Sequence, residues 1–434
     1  GDHYPAPRPS PLYTRVAAAG VALEQWSLWS LVSALRAGAQ GDAWAIDRSL
    51  AGTSIADELA AHGRYRTVEV DGAPVGLIAA LRPDVTFVHA ACADEDGRAL
   101  LAPPLGEGPA GALAARRGVI ITAERLVPTA VTRAHPGLIA IPPHRVLAVC
   151  EAPRGAHPQP CRVPPGVPVD GYPDDFAAYL RWQTRARAPE ALAAFVDRVL
   201  AAPEPEVAYR AELAPAAPDG GDAAAPPPTL AAPAAAAPTA HPAGTVAAHE
   251  PGPSAVDRLI VAGARELAAR ARATDARVII AGIGHAFFAA RLAHHALAAT
   301  GAPPPIVVET GLYDLDCGPA GHGYLLADAN MARARRLTAI DDLLGVVVGG
   351  ADNRCLAVLG AAQIDRDGHL NSTRLGATQL VGSGGACDIA AAAADVIALI
   401  RLAPGRLVDR VDYRTSPGRG LRAIVTDRGV LTRA

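Results

Sequence analysis

A low-complexity segment divides this chain of 434 residues. Between residues 202 and 253 the sequence is dominated by alanine and proline, as in Ala223–Pro228 and Ala231–Pro238. Proline removes a backbone hydrogen-bond donor and blocks regular helix and sheet, while alanine buries little area when a chain folds. The segment therefore predicts a disordered, semi-extended linker over 202–253, between a first domain at 1–201 and a second at 254–434.

Short apolar runs alternate with helical segments on both sides of this linker. Examples are Asp84–His89, Gly118–Thr122 and Arg145–Cys150 in the first domain, and Arg277–Ala281 and Ile306–Glu309 in the second. Near-continuous apolar strands separated by helices are typical of parallel sheets covered on both faces. The pattern predicts an α/β fold with two open α/β domains and mostly parallel sheets, in which ligands gather at the carboxyl ends of strands.

Composition argues against several functional classes. The formal net charge of −3 gives no general field for attracting nucleic acid. No apolar stretch is long enough to predict a membrane span, and the N-terminal residues lack the pattern of a secretory signal, so a cytoplasmic location is expected. The six cysteines form no CxxC pair and no zinc-spaced cluster, which favours buried reduced thiols and predicts no metal site.

Glu309 is the first candidate functional residue. It ends an apolar strand and precedes Thr310-Gly311, so the backbone can turn tightly beside its carboxylate. This position places a fixed carboxylate at the sheet edge where ligands bind. The alternative interpretation is a glutamate at the end of a strand that only faces water.

A glycine-rich loop at Val381–Asp388 is the second candidate. It has three glycines in four positions, ahead of an alanine-rich helix predicted from about Cys387 to Leu399. Glycines let backbone N–H groups approach an anion closely, and the helix N-terminus adds partial positive charge. A plain helix start capped by Asp388 is the alternative.

These segments and two others follow one another in an order that resembles a known family. Leu359–Thr373 contains a strand end, several hydrogen-bonding side chains and a predicted hairpin turn at Asp367-Gly368. Together with Glu309–Gly311, Gly382–Asp388 and Tyr413–Gly418, it resembles the β subunit of class I coenzyme A transferases, in the glutaconate CoA-transferase-like branch.

The first domain resembles the α subunit of the same branch. The matching segments are Arg82–Gly97, Val119–Glu124 and Gly155–Cys161, which occur in the family's order and spacing. The whole chain therefore resembles an α–β fusion. A tether of about fifty residues would raise the effective concentration of the two halves, so we expect them to pack together, within a homodimer of fused chains.

The resemblance implies a CoA-transferase that exchanges CoA between an acyl-CoA and a small carboxylate. It implies a ping-pong reaction through a glutamyl-CoA thioester, with Glu309 as the nucleophile and the Gly384 and Gly385 N–H groups as oxyanion donors. The CoA thioester is a substrate, and no metal or other cofactor is expected. The candidate substrate-binding residues are Gly311, Gln363, Asn371, Ser372, Gly382 and Ser383.

Two departures from the family pattern leave alternatives open. The resemblance to the family's α chain starts inside that chain, so we expect the family's leading strand and glycine-rich turn to be absent from this sequence. Cys387 stands where the family usually has asparagine, and we expect it to pack rather than to act as a catalytic thiol. The alternatives are a CoA-thioester hydrolase or decarboxylase on the same fold, or a partner-dependent, non-catalytic CoA-binding subunit.

Overall fold

Both halves of the sequence contribute to one compact unit. The computed structural model describes residues 11–213, 252–318, 322–350 and 352–432. The chain divides into a first unit of residues 1–183 and 254–434 and a second unit of residues 184–253. The expectation that the halves pack together is therefore confirmed, because the first unit contains residues from both sides of the alanine- and proline-rich segment.

The second unit shows that helical structure continues past residue 202. Its helices are Pro189–Ala201 and Pro205–Leu213, and each begins with proline, which is tolerated in the first turn because the N–H there has no intrahelical partner. An ion pair between Arg198 Nε and Glu212 Oε1, 2.9 Å apart, joins the two helices. Residues 205–213 were predicted as linker from composition and are helical, and residues 214–251 lie outside the described part of the chain.

The N-terminal half of the first unit contains two three-stranded sheets and a short hairpin. The antiparallel sheet consists of Trp44–Asp47, Ala73–Ala79 and Tyr65–Val70, in that spatial order. The parallel sheet consists of Val85–Ala90, Gly118–Ala123 and Val146–Glu151, and the hairpin pairs Cys92–Ala93 with Ala99–Leu100. The helices are Pro11–Ala18, Leu28–Gln40, Ser54–Ala61, Gly108–Ala114, Thr129–Arg133 and Phe176–Ala186, the last of which crosses into the second unit.

The C-terminal half is built on a six-stranded sheet. In spatial order its strands are Ile306–Val307, Val278–Ala281, Cys355–Gly360, Asp395–Leu399, Leu421–Val425 and Val430–Thr432. The first five are parallel and the last is antiparallel, so the predicted mostly parallel α/β architecture is confirmed. Short antiparallel pairs join Leu312–Leu315 to Ala334–Leu337, Gln363–Ile364 to Leu370–Asn371, and Arg374–Leu375 to Thr378–Gln379.

The two faces of this sheet border different hydrophobic cores, and the second core combines side chains from both halves of the unit, such as Val32 and Leu343. Helices Ala255–Thr274 and His285–Ala298 pack on one face, where Ile279 is fully buried. Helices from the N-terminal half, Leu28–Gln40 and Gly108–Ala114, pack on the other face, where Ile280 is fully buried. The alternation of neighbouring residues between the two cores follows from the two-residue period of a strand. The remaining helical segments are Asp328–Met331, the π-helix Asp342–Val348 and Ala386–Ala392.

The predicted helix from about Cys387 to Leu399 was wrong in its second half. The helix ends at Ala392, and Asp395–Leu399 is the fourth strand of the large sheet. Alanine has high helix propensity, but the strand fills the gap between two parallel neighbours and its last four residues are buried. Tertiary burial therefore outweighs local propensity in this segment.

The hairpin turn predicted at Asp367-Gly368 is confirmed by the antiparallel pairing of Gln363–Ile364 with Leu370–Asn371. Gly368 has φ of +83°, a left-handed conformation that glycine adopts without steric cost. In the described portion of the chain, no helix is both long enough and apolar enough to cross a bilayer.

Candidate active site

Glu309 lies in a tight turn at the carboxyl end of the strand Ile306–Val307. The turn is closed by the Gly311 N–H, which donates to the Val308 carbonyl over 2.9 Å. Gly311 has φ of +109°, and a Cβ at this position would overlap the carbonyl oxygen of Thr338. Only glycine fits there, so the turn that fixes Glu309 depends on Gly311.

The predicted glycine-rich loop lies directly against the Glu309 carboxylate. The Gly385 N–H donates a hydrogen bond to it. A Cβ added to Gly384 would lie 3.6 Å from Oε1, and a Cβ added to Gly385 would overlap Oε2. The structure therefore brings Glu309, Gly384 and Gly385 together, with no side chain between the loop and the carboxylate.

The surroundings of Glu309 favour its protonated form. Glu309 is buried, with 8% of its surface exposed. Burial, and then repulsion by the Asp388 carboxylate, raise its pKa to about 7, while the Gly385 N–H opposes them. Burial also raises the pKa of Asp388 to about 6, against the donors that bind it. Two buried acids next to each other therefore titrate close to neutrality.

A segment of the N-terminal half holds the glycine-rich loop in place. Ser27 Oγ donates to Asp388 Oδ1 over 2.6 Å, and the Trp29 N–H donates to Oδ2 over 3.0 Å. The Leu28 N–H donates to the Gly384 carbonyl over 3.1 Å. Asp388 therefore does not cap its own helix but binds the start of the helix Leu28–Gln40, for which Ser27 is the N-cap.

Sequence reasoning missed this anchor. Ser27 immediately before a predicted helix is an N-cap signal, which could have marked the residue as structurally important. Its partner, 361 residues away, gave no local signal. The anchor also involves Ser383, a predicted substrate-binding residue, because Ser383 Oγ donates to the Trp26 carbonyl over 2.7 Å.

The other predicted substrate-binding side chains contact one another rather than Glu309. Gln363 Oε1 accepts from Asn371 Nδ2 over 2.9 Å and from the Asp412 N–H over 3.0 Å. The Ser372 N–H donates to Thr415 Oγ1 over 3.0 Å. Across the described ranges, Gln363, Asn371 and Ser372 make no hydrogen bond to Glu309 or to the glycine-rich loop. Their roles in substrate binding stay predictions.

Gly382, another predicted substrate-binding residue, lies close in space to Tyr13, because a Cβ at Gly382 would be 3.1 Å from Tyr13 Oη.

Cys387 is fully buried in a cluster with Leu50 and Tyr413. Burial, followed by repulsion from Asp388, raises the pKa of its thiol well above the usual value. A buried, protonated thiol is a poor nucleophile, which supports the expected packing role.

A cavity of about 310 Å³ is lined by residues of the N-terminal half and by Met331 of the C-terminal half. One of its lining residues, Pro104, would lie 3.3 Å from a Cβ at Gly311, two residues after Glu309. The cavity is lined mainly by apolar side chains and proline, and its polar lining includes His89 and Arg162.

A buried hydrogen-bond network supports the wall of this cavity. Glu124 accepts from Tyr172 Oη over 2.6 Å and from the Arg154 N–H over 2.6 Å, and lies 2.9 Å from His89 Nε2. Ligand atoms of His89, Glu124 and Cys161 lie within 4.8 Å of one another, as do those of Asp365, Asp367 and His369. Sequence analysis had assigned Glu124 and Cys161 to two separate family motifs and did not predict that they lie close together. The expectation that no metal is required stays a prediction.

Comparison with known proteins identifies the family. A sequence model described as coenzyme A transferase matches residues 11–152 and 350–432, just over half of the chain. One of the two 3-oxoadipate CoA-transferase polypeptides of Pseudomonas knackmussii is 28% identical over 192 residues, which cover 44% of this chain and 64% of that protein. A glutaconate CoA-transferase polypeptide of Acidaminococcus fermentans is 31% identical over 151 residues, which cover 29% of this chain and 56% of that protein.

The chain thus spans less than two thirds of the length of these two curated relatives, each of which is one subunit of its enzyme. A crystal structure of the acyl-CoA transferase YdiF of Escherichia coli O157:H7, in a thioester complex with CoA, covers 98% of this chain and 71% of its own. It superposes with a TM-score of 0.61 at 18% identity, which shows a shared fold. On the extent of the family match, this chain is a member of the coenzyme A transferase family.

Proposed function

We propose that this protein is an acyl-CoA:carboxylate CoA-transferase with Glu309 as its nucleophile. The observation that carries the proposal is the buried Glu309 carboxylate at the carboxyl end of a parallel strand, in direct contact with two glycines of the 382–388 loop. On the side of the loop this carboxylate faces glycine backbone with no side chain in between, and the Gly385 N–H acts on it as a donor. A carboxylate nucleophile must reach the carbonyl carbon of the thioester, and a nearby hydrogen-bond donor must stabilise the negative charge that develops on the oxygen.

In the first half-reaction, the ionised Glu309 attacks the thioester carbonyl of the acyl-CoA. The bond from carbon to sulfur breaks, and an acyl-glutamyl anhydride and the CoA thiolate form. The thiolate then attacks the glutamyl carbonyl of the anhydride and releases the donor acid as a carboxylate. Glu309 is left as a glutamyl-CoA thioester.

In the second half-reaction, the acceptor carboxylate attacks that thioester and expels the CoA thiolate, giving a new anhydride. The thiolate attacks the acceptor's acyl carbon, which forms the product acyl-CoA and regenerates the Glu309 carboxylate. Each step exchanges groups of similar energy, and the acid leaves before the acceptor enters, so the kinetics are ping-pong.

The contact with Gly385 suggests how the loop assists these steps. When Glu309 becomes an anhydride or thioester, its carbonyl oxygen would occupy the position of a carboxylate oxygen. The Gly385 N–H would then donate to the negative charge that develops on this oxygen during attack. Such a donor contributes on the order of 3 kcal/mol to transition-state stabilisation. Gly384 remains a second candidate donor.

The substrates in this proposal are a CoA thioester and a short acid, without a metal or redox cofactor. The names of the two curated relatives give 3-oxoadipate and glutaconate as acids handled by those proteins. We also propose a homodimer of fused chains. Light scattering would detect twice the mass of one chain, and a monomeric mass for the active protein would contradict the dimer.

Chemical trapping tests the proposed mechanism. The protein is incubated with a panel of short acyl-CoAs and then treated with borohydride or hydroxylamine. The tryptic peptide 292–333, which contains Glu309, is examined by mass spectrometry. A modified Glu309 supports the glutamyl-CoA route. Absence of an adduct from the whole panel, with Glu309→Gln behaving like the parent, contradicts it.

A CoA-thioester hydrolase or decarboxylase is a second candidate. The observation in its favour is the pKa of Glu309, raised to about 7 by burial, because a general base works best when its pKa is near the operating pH. A hydrolase releases CoA without any added carboxylate, whereas a transferase turns over only with an acceptor. Turnover with and without acetate therefore separates the two.

A further inference from the structure

A histidine, a glutamate and a cysteine converge at one end of the parallel sheet of the N-terminal half. His89 lies near the end of the strand Val85–Ala90, and Glu124 directly follows the neighbouring strand Gly118–Ala123, so both occupy carboxyl ends of parallel strands, where ligands gather. Cys161 comes from the segment that follows the third strand of the sheet. A ligand atom of each residue lies within 4.8 Å of those of the other two. Atoms bound to one tetrahedral zinc ion are about 3 to 4 Å apart, so small side-chain adjustments would place an ion between the three.

The three donors form a set that suits zinc. They are an imidazole nitrogen, a carboxylate oxygen and a cysteine sulfur, all of which bind Zn²⁺ at about 2.0 to 2.3 Å. Magnesium and calcium prefer oxygen ligands, and a cysteine in the set selects against both. Glu124 is 8% exposed and Cys161 is 7% exposed, so an ion here would be held mainly by protein atoms. Three protein ligands leave a fourth tetrahedral position for water.

Neighbouring groups orient two of these ligands. His89 Nδ1 lies 3.0 Å from Thr122 Oγ1, which turns Nε2 toward Glu124, 2.9 Å from its Oε1. The Thr122 hydroxyl can accept from Nδ1–H, and this tautomer leaves the Nε2 lone pair free for a metal. Tyr172 Oη donates to the same Glu124 oxygen over 2.6 Å. Partners of this kind fix the tautomer and the direction of metal ligands and are usual around zinc.

The cluster borders two cavities. His89 and Cys161 line the cavity of about 310 Å³, and Cys161 and Tyr172 line a second one of about 300 Å³. Either has room for water, because a site for one water molecule needs only about 10 to 15 Å³. An ion can therefore enter, and a water molecule can complete its coordination.

In the metal-free protein these ligands bind one another. The Cys161 thiol donates to Glu124, and burial, followed by the nearby Glu124 carboxylate, raises the pKa of that thiol to about 12. Zinc must therefore displace the thiol proton, as it does at other cysteine sites, and binding releases this proton to solvent. Hydrogen bonds within the cluster are then exchanged for three bonds to one metal.

We propose that His89, Glu124 and Cys161 bind one Zn²⁺ ion, at a site that goes beyond the transfer chemistry proposed for Glu309. The ion takes no part in that chemistry. It joins the ends of two parallel strands to the segment that carries Cys161. The expectation that the cysteines form no zinc site rested on local spacing, whereas these ligands are spread over residues 89–161.

Metal titrations of the full chain test the inference. The protein is treated with EDTA, and Zn²⁺ is then titrated in competition with a chromophoric chelator. With Co²⁺ in place of zinc, the parent should show the near-ultraviolet charge-transfer band of a cysteine thiolate bound to cobalt. His89→Gln and Cys161→Ala should weaken zinc binding at least about 100-fold, since outer partners alone contribute about 10- to 100-fold. Thr122→Val, which keeps all three ligands, should weaken it about 10-fold.

Two variants serve as matched controls. Cys150→Ala removes an exposed thiol from the same sheet, and His369→Gln alters the other cluster of metal-ligating side chains. Both should keep the zinc affinity and the cobalt band of the parent.

The inference is overturned if the parent shows no cobalt band, if the band survives Cys161→Ala, or if His369→Gln rather than His89→Gln abolishes zinc binding. Circular dichroism checks that each variant is folded. Where a ligand variant is not, Thr122→Val carries the test, and an unchanged zinc affinity in it would count against the site. These readouts need no turnover, so they are independent of whether Glu309 forms an adduct.

Discussion

The contact between Gly385 and Glu309 allows a substitution that moves the carboxylate alone. Gly385 has φ of −93° and ψ of 11°, a conformation that other residues adopt in turns, so alanine introduces no backbone strain. Its Cβ would overlap Oε2 of Glu309 and lie 3.1 Å from Cδ. The carboxylate must therefore shift, by about 1 Å.

The shift should affect stability and activity very differently in Gly385→Ala. The obstructing atoms belong to the far end of a flexible side chain, so the free energy of unfolding should change by less than about 1 kcal/mol. A reacting group misplaced by about 1 Å loses about 10²-fold in rate, and we expect a fall of that size in kcat. The displaced carboxylate also loses its Gly385 donor.

The assay is CoA exchange between an acyl-CoA and a saturating acceptor, with urea unfolding measured on the same preparations. Gly360→Ala is the control, because a Cβ at this strand end meets nothing within 4 Å. Gly384→Ala should show the reverse pattern. Its Cβ would make an ordinary 3.6 Å contact, but its φ of +55° costs about 1 kcal/mol for alanine. Full activity in Gly385→Ala would refute the reasoning, and so would a large loss of stability.

Four further predictions concern the same site. Glu309→Gln should lower turnover by at least about 10³-fold. Burial raises the pKa of Glu309 from 4.5 to about 7, so between these pH values the folded parent keeps a proton that the unfolded chain releases. The free energy of unfolding of the parent, measured with urea, should therefore fall by roughly 3 kcal/mol from pH 4.5 to pH 7. Glu309→Gln should lack this fall. Asp388→Asn removes the charge that adds to burial in raising this pKa, so the midpoint of the rise of kcat/KM with pH should move to lower pH. Ser27→Ala should lower the free energy of unfolding by about 1–3 kcal/mol, because it removes a helix cap and also deprives the buried Asp388 carboxylate of a donor. Ser254→Ala, which removes only an exposed cap, should lower it by about 1 kcal/mol. Cys387→Ala should retain turnover, and iodoacetamide should leave Cys387 unlabelled in the folded parent, because the thiol is buried and its pKa is raised.

Local patterns were sufficient to single out Glu309 and the glycine-rich loop beside it as candidate site residues. An apolar strand that ends in Glu-Thr-Gly and a glycine-rich stretch before a helix are each visible within ten residues, and parallel topology brings strand ends to one edge. The anchor between Ser27 and Asp388 was not predictable in this way, because it joins residues 361 positions apart. It exists only after the two halves have packed.

The errors in secondary structure have a similar origin. Asp395–Leu399 was assigned to a helix because local propensity was the only available signal, whereas the strand forms because two partners flank it.

The helix Leu28–Gln40 shares a hydrophobic core with the six-stranded sheet, whose earliest strand along the chain begins at Val278, and this has a consequence for biosynthesis. About 240 residues must be translated between the end of the helix at Gln40 and the strand that begins at Val278. At ordinary elongation rates this takes roughly 12 to 50 s. Throughout that interval Val32 and Leu35 have Ala110 and Ala114 of their own half as core neighbours, but they lack the side chains that the C-terminal half contributes to the same core, such as Ile280 and Leu343. The nascent first half should therefore be a chaperone client, and its release should coincide with completion of the second half on the same ribosome.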